Sequence, residues 1–205
     1  YVGLATNQAN VAQAEFVGSL SWPVQSTSVT TSSTSWTAFG NLGAVAPTPL
    51  GNVTNSAQAP KITINSLKPG NYRVIFAGSF GCYSGTLVDA ICSLRITDGT
   101  VQYGSPVMVR SYGALGGGIN GTWSPVAVFD FQYSGATVSK TLQLEAKVIS
   151  GNTASLDQSG DSGFQISVYR FPSSSELVVT PERQNVYGGV KLNSSGYASN
   201  SVITN

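Results

Sequence analysis

Between residues 61 and 171 apolar and polar positions alternate with a period of two in run after run. That spacing puts one side of a β-strand in a core and the other in water. Residues 61–67 (KITINSL) set Ile62 and Ile64 on one face. Residues 72–80 alternate Tyr72, Val74, Phe76 and Gly78 against Arg73, Ile75, Ala77 and Ser79. Lys68-Pro69-Gly70-Asn71 between them has the chemistry of a tight turn, with glycine free to take positive φ. It predicts an antiparallel pair of these two strands.

Residues 91–97 (ICSLRIT) alternate again, and Asp98-Gly99 is a hairpin signal leading into strands at 101–103 and 106–110. After a glycine-rich stretch, residues 123–133 hold Val126, Val128, Phe129 and Phe131. Residues 140–149 place Leu142, Leu144, Ala146 and Val148 in register, and 163–171 (GFQISVYRF) set Phe164, Ile166, Val168 and Arg170 on one side. Eight to ten strands separated by Gly, Ser, Asn and Pro clusters predict an all-β, antiparallel jelly-roll β-sandwich. Apolar residues are abundant enough for more than one core face.

Outside this span the pattern fades. Residues 5–15 (ATNQANVAQAE) suit a short helix or an extended lead-in, so 1–13 reads as a linker or shaft remnant and 14–172 as the head domain. Residues 173–183 read as a linker. Val186-Tyr187-Gly188-Gly189 echoes the aromatic-x-Gly placement of Phe16-Val17-Gly18, so 173–205 is a linker and tail, with a second repeat opening at 186 as one reading and chance resemblance as the other. The chain opens at Tyr1 rather than Met, as expected of a processed or excised product.

Composition narrows the function classes. Charged residues make up 9% of the 205, against roughly 25% in ordinary soluble domains. Solubility must come from hydroxyls and amides, as in fibre proteins, adhesins and secreted β proteins. The net charge is +1 and the ten Lys and Arg are scattered, so no basic track exists for nucleic acid. No apolar run approaches the ~20 residues of a membrane-spanning helix, and neither membrane insertion nor a cofactor is expected. Cys82 and Cys92 stand where two adjacent strands could bring them together, either as a disulfide in an oxidising compartment or as two buried thiols. Two cysteines without histidine do not supply a zinc site.

The run KITINSLKPGNYRVIFAGSF (61–80), the later LRITDG (94–99) and the closing GFQISVYRF resemble the trimeric jelly-roll heads of the tumour necrosis factor and complement-head type. They are more similar still to the tip domains of phage tail-fibre receptor-binding proteins and of the mosaic adhesive trimer fibres of predatory bacteria. Residues 170–176 (RFPSSSE) are similar to the exit linker of those proteins. The resemblance spans about residues 15–172 and implies a homotrimer on the outside of a cell or virion, whose loops meet a surface glycan or receptor. It transfers no contact residue.

Candidate sites follow from the residues themselves. Residues 112–123 (YGALGGGINGTW) form the most glycine-rich segment, and neither a helix start nor a lysine follows to make it a phosphate cradle. It reads as a plain connecting loop or as a receptor-facing one, with Tyr112 and Trp123 stacking on a sugar face and Asn120 adding hydrogen bonds. Tyr83, beside Cys82, is a further contact candidate, as are Trp22 and Tyr103, while Trp36 is expected to start a core strand.

Gly160-Asp161-Ser162-Gly163 copies the string around a serine-protease nucleophile, yet the chain has no histidine to act as base, and a turn is the expected reading. Asp157, Gln158 and Asp161 lack a calcium-loop spacing. Nine scattered carboxylates, Asp130 and Glu145 among them, show no paired acid and base by sequence. The expectation is an adhesive or receptor-binding protein and not an enzyme. A ligand-free fibre or virion connector and, behind it, a carbohydrate-active enzyme are the alternatives.

Overall fold

The computed structural model describes residues 14–23, 28–55, 58–84, 89–112, 124–151, 153–157 and 163–171. Residues 1–13 and 172–205, with the repeat and linker expected there, lie outside the described residues. Thirteen strands occur among the described residues. Five short or early ones are β1 (Glu15–Trp22), β2 (Ser28–Thr31), β3 (Thr37–Ala38), β4 (Thr48–Gly51) and β5 (Val53–Thr54). The long ones follow as β6 (Lys61–Leu67), β7 (Gly70–Tyr83), β8 (Asp89–Thr97), β9 (Gln102–Tyr112), β10 (Ser124–Tyr133) and β11 (Val138–Ser150). The last are β12 (Thr153–Asp157) and β13 (Phe164–Phe171).

Two antiparallel sheets form. In the first, the order is β2-β12-β7-β13-β1-β4, with β10 on the other edge of β7. In the second, it is β5-β6-β11-β8-β9, with β3 beside β11. Several short strands are pieces of longer ones. Asp157 of β12 faces Ser79 and Gln165 of β13 faces Ala77, so β12 and β13 lie end to end along β7. In the same way β1 and β2 run end to end along β13 and β12.

The pairing is nested: β1 with β13, β6 with β11, β7 with β10, and β8 with β9. That closure of pair around pair, split over two sheets, defines an eight-stranded jelly roll. The fold class is as the alternation predicts.

The expected hairpin of β6 and β7 does not form. The two strands belong to different sheets, because both edges of β7 are taken by β10 and by β13 with β12, while β6 pairs with β11 and β5. The Pro-Gly turn instead carries the chain from one sheet to the other. Gly70 has φ +149°. The Tyr72 hydroxyl donates to the Lys68 carbonyl at 2.8 Å and accepts from its N–H at 3.0 Å, which fixes the crossing. Asp98-Gly99 does make the predicted hairpin, with Gly99 at φ +96° and Thr97 opposite Gln102.

The core lies between the sheets. Leu20, Val74, Phe76, Phe80, Ile166 and Val168 come from the first sheet and Ile62, Ile64, Leu94, Ile96, Leu142 and Leu144 from the second, all fully or almost fully buried. Each side chain of this kind contributes about 1.5–3 kcal/mol by leaving water. Cys82 of β7 and Cys92 of β8 are joined as a disulfide, with their Cα atoms 5.9 Å apart. Both are buried, so the bond staples sheet to sheet.

The topology gives the sandwich two distinct ends. β1 begins and β13 finishes at one, here the proximal end, where the β6–β7 crossing and the β8–β9 hairpin also lie. At the opposite, distal end β7 and β9 finish, β8 and β10 begin, and β11 turns into β12.

Candidate functional site

The distal end holds two of the residues singled out for contact, Tyr83 and Tyr112. Tyr83 closes β7, half-buried and opposite Thr153. Tyr112 closes β9, opposite Asp89 of β8. Asn120 and Trp123 belong to the connection from β9 to β10 and lie outside the described residues, but the strands that connection joins meet at this end. The Cys82–Cys92 bond sits just beneath, on the last residues of β7 and the first of β8.

Other aromatic expectations need correction. Trp22 and Tyr103 are core residues, 2% and 8% exposed, not surface contacts. The Trp22 indole N–H donates to the Gln58 carbonyl and its ring lies 5.2 Å from that of Phe164. In both cases the side chain follows the inward phase of its strand, which outweighs any surface preference of the residue type. Trp36 moves the opposite way. It precedes β3 and is half-buried on the outer face of the second sheet, with Arg95 Cζ 4.6 Å and Lys147 Nζ 4.8 Å from its ring centroid.

Asp130, Glu145, Asp98 and Glu15 are each paired with a basic side chain. Asp130 takes a two-pronged bond from Arg73, both 2.8 Å, across the outer face of the first sheet. Arg73 holds the Asp130 carboxyl below its ordinary value. Both groups are about half exposed, 47% and 57%, so the pair adds little stability. Glu145 pairs with Arg95 at 2.7 Å on the other sheet. The two acids thus sit on opposite outer faces. Among the described residues no group of three His, Cys, Asp or Glu converges. Asp157 ends β12, whereas Gln158 and the residues around Asp161 and Ser162 lie outside the described residues.

Asp98 is held most firmly. Burial alone would raise its pKa, but the Lys140 ammonium, the amides of Val101 and Thr100 and the Thr100 hydroxyl outweigh burial and hold the carboxyl well below the usual range. The Tyr103 hydroxyl also donates to it, at 3.0 Å. With the folded value depressed, the unfolded chain takes up the proton first, so stability present above the unfolded pKa is lost on acidification. Urea denaturation midpoints should therefore fall as the pH drops below about 4. Asp98→Asn should be less stable at neutral pH and less sensitive to acid.

A shallow cavity of about 370 Å³ opens at the proximal end of the first sheet, lined by Asn71, Tyr72, Arg73, Asp130, Phe131 and Phe171. That face also exposes several large apolar side chains among its polar ones. Register sets Phe16, Tyr169, Arg73 and Asp130 in one row, and Leu50, Ser19, Ser167, Ile75 and Val128 in the next. Phe16, Leu50, Val126 and Val128 are 38–63% exposed. An antiparallel sheet with one face in the core ordinarily turns polar residues outward on the other. The run PVAVFDF, apolar on both phases of β10, is the sequence signal for this face.

No protein-family model matches the chain, and no curated protein does. Solved structures do. An Eiger tumour necrosis factor from S. frugiperda matches with a TM-score of 0.44 at 10% identity, covering 78% of this chain and 94% of its own. The vertex protein P5 of PRD1 matches with 0.38 at 17%, covering 78% and 99%. The C-terminal CBM6 of LamC, a marine laminarinase from Zobellia galactanivorans, matches with 0.25 at 13%, covering 73% and 98%. These are likenesses of β-sandwich fold, and the nested strand pairing identifies the jelly roll without them.

Proposed function

We propose that this chain is the head of an extracellular or virion-surface fibre, that it assembles as a homotrimer through the outer face of its first sheet, and that it works by contact rather than turnover. The observation that carries the reading is the exposed apolar face of Phe16, Leu50, Val126 and Val128 with half-buried Ile75 and Tyr169 between them. Exposed apolar side chains grouped on one face are removed from water by a partner, and closed symmetry lets one surface do so for every copy. An inter-sheet disulfide suits an oxidising location.

The two ends then divide the labour. The domain is entered and left at the proximal end, so the opposite, distal end, where Tyr83 and Tyr112 close β7 and β9, is the one that meets a surface glycan or other receptor. Three modest sites on one rigid head raise the effective concentration of the second and third contacts, so weak individual affinity suffices.

The test is retention on a glycan array and on target cells. Joint substitution of Tyr112 and Trp123 by alanine should reduce retention about tenfold or more, as removal of aromatic anchors does, with the assembled mass unchanged. Undiminished retention would remove the distal end from the proposal.

A further inference from the structure

The outer face of the second sheet differs in kind from that of the first. It carries Lys61, Arg95, Arg110 and Lys147 against Glu145, and the Trp36 ring lies against both Arg95 and Lys147. We propose that this face binds an acidic saccharide, a sugar bearing a carboxylate or sulfate, with Lys147 and Arg95 holding the anionic group.

The cluster is built rather than incidental. Glu145 spends both oxygens internally: Oε2 accepts from Arg95 Nε at 2.8 Å and pairs with Nη2 at 2.7 Å, and Oε1 accepts from Gln143 at 2.9 Å. It is 7% exposed, and its partners are Arg95 and Gln143, not Lys147. The Lys147 ammonium has the Trp36 ring at 4.8 Å and no carboxylate within ion-pair distance among the described residues. The indole attracts the ammonium through its π face and limits its motion, which lowers the ordering cost when an anion arrives. An anion at Lys147, with the Arg95 guanidinium against the same ring, would offset positive charge that Glu145 does not neutralise.

The neighbouring surface favours a sugar over other anions. Register places Lys147, Ser93 and Met108 in one row across β11, β8 and β9. Met108 is 65% exposed, an apolar patch for the C–H face of a pyranose. Two strand spacings separate it from Lys147, about 10 Å, the reach of a disaccharide. Nucleic acid needs a track of cations along its backbone, and this face offers a compact cluster. Assembly through the first sheet would leave this face in solvent. The choice of ligand class rests on the proposed contact function, but the site is separate from the distal end, so the two can fail independently.

The experiment is calorimetric titration of the full chain with an oligogalacturonate and a heparin-derived oligosaccharide, at low and high salt, with a neutral malto-oligosaccharide and single-stranded DNA as references. At least one acidic sugar is expected to bind, more weakly at high salt. Lys147→Gln should weaken it about tenfold, the worth of one charge-assisted hydrogen bond. Lys68→Gln, on the exposed β6–β7 turn, should change nothing, and Trp36→Leu should weaken binding in a protein that melts cooperatively. The proposal is overturned if neither acidic sugar binds, if the neutral sugar or DNA binds as tightly, or if Lys147→Gln behaves like Lys68→Gln. Loss of binding in the Tyr112 and Trp123 double variant with none in Lys147→Gln would assign acidic sugars to the distal end instead.

Discussion

Replacing Phe164 with alanine is expected to destabilise the domain by about 3–5 kcal/mol, a large part of the roughly 5–15 kcal/mol a folded domain has. The ring is 1% exposed and stands at the centre of an aromatic cluster. Its centroid lies 5.2 Å from that of Trp22, 6.2 Å from Phe76 and 6.3 Å from Phe80. It also presses on β7, where a β-carbon on Gly78 would come within 2.5 Å of it. No neighbour can move in to fill the space, since the surrounding rings are fixed on β1 and β7, the strands on either side of β13. Phe164→Leu should cost less because more of the volume survives. Chemical denaturation of both variants checks the order, and equal stabilities would mean that the site collapses freely.

Arg170→Ala should cost about 3 kcal/mol, for a different reason. Arg170 continues the inward phase of Phe164, Ile166 and Val168, so a guanidinium enters the proximal edge of the core at 5% exposure. Its Nε and Nη2 donate to the Pro69 carbonyl at 3.0 and 2.6 Å, and Nη1 donates to Glu15 at 3.0 Å. Alanine would take two donors from the carbonyl that sets the sheet-to-sheet crossing. Lysine should recover only part of the loss, because an ammonium lacks the planar fork. Glu15→Gln should cost less than about 1 kcal/mol, since that carboxylate is half exposed. The ranking of alanine, lysine and the Glu15 variant by melting temperature is the check. A Glu15→Gln loss as large as that of Arg170→Ala would mean that the ion pair, not the carbonyl, matters.

The strands from β6 to β11 and β13 were legible because each carries enough alternation to set its own face, whereas β1 was not read as a strand. Ile62 and Ile64, and Leu142 through Val148, are buried as their period predicts. Strands of two to five residues were not: β2 to β5 and β12 exist only because longer neighbours offer them an edge. The Pro-Gly segment announced a turn correctly but could not say whether it joined paired strands or crossed between sheets, since that depends on which edges are already occupied. For the surface, the two apolar phases of β10 hinted at a second buried face. The Trp36 cluster had no such signal, because Arg95, Glu145 and Lys147 meet Trp36 only through the register of β3, β8 and β11.

The first sheet's outward apolar rows are the foundation of the proposed assembly, and the mass of the protein in solution tests them most directly. Light scattering on the purified chain should give three times the 21.2 kDa of one copy. Arginine at Ile75 together with Val128, both on that face, should give the single-copy mass with an unchanged circular dichroism spectrum. A single-copy mass for the unaltered chain, or a threefold mass that survives both arginines, would contradict the account.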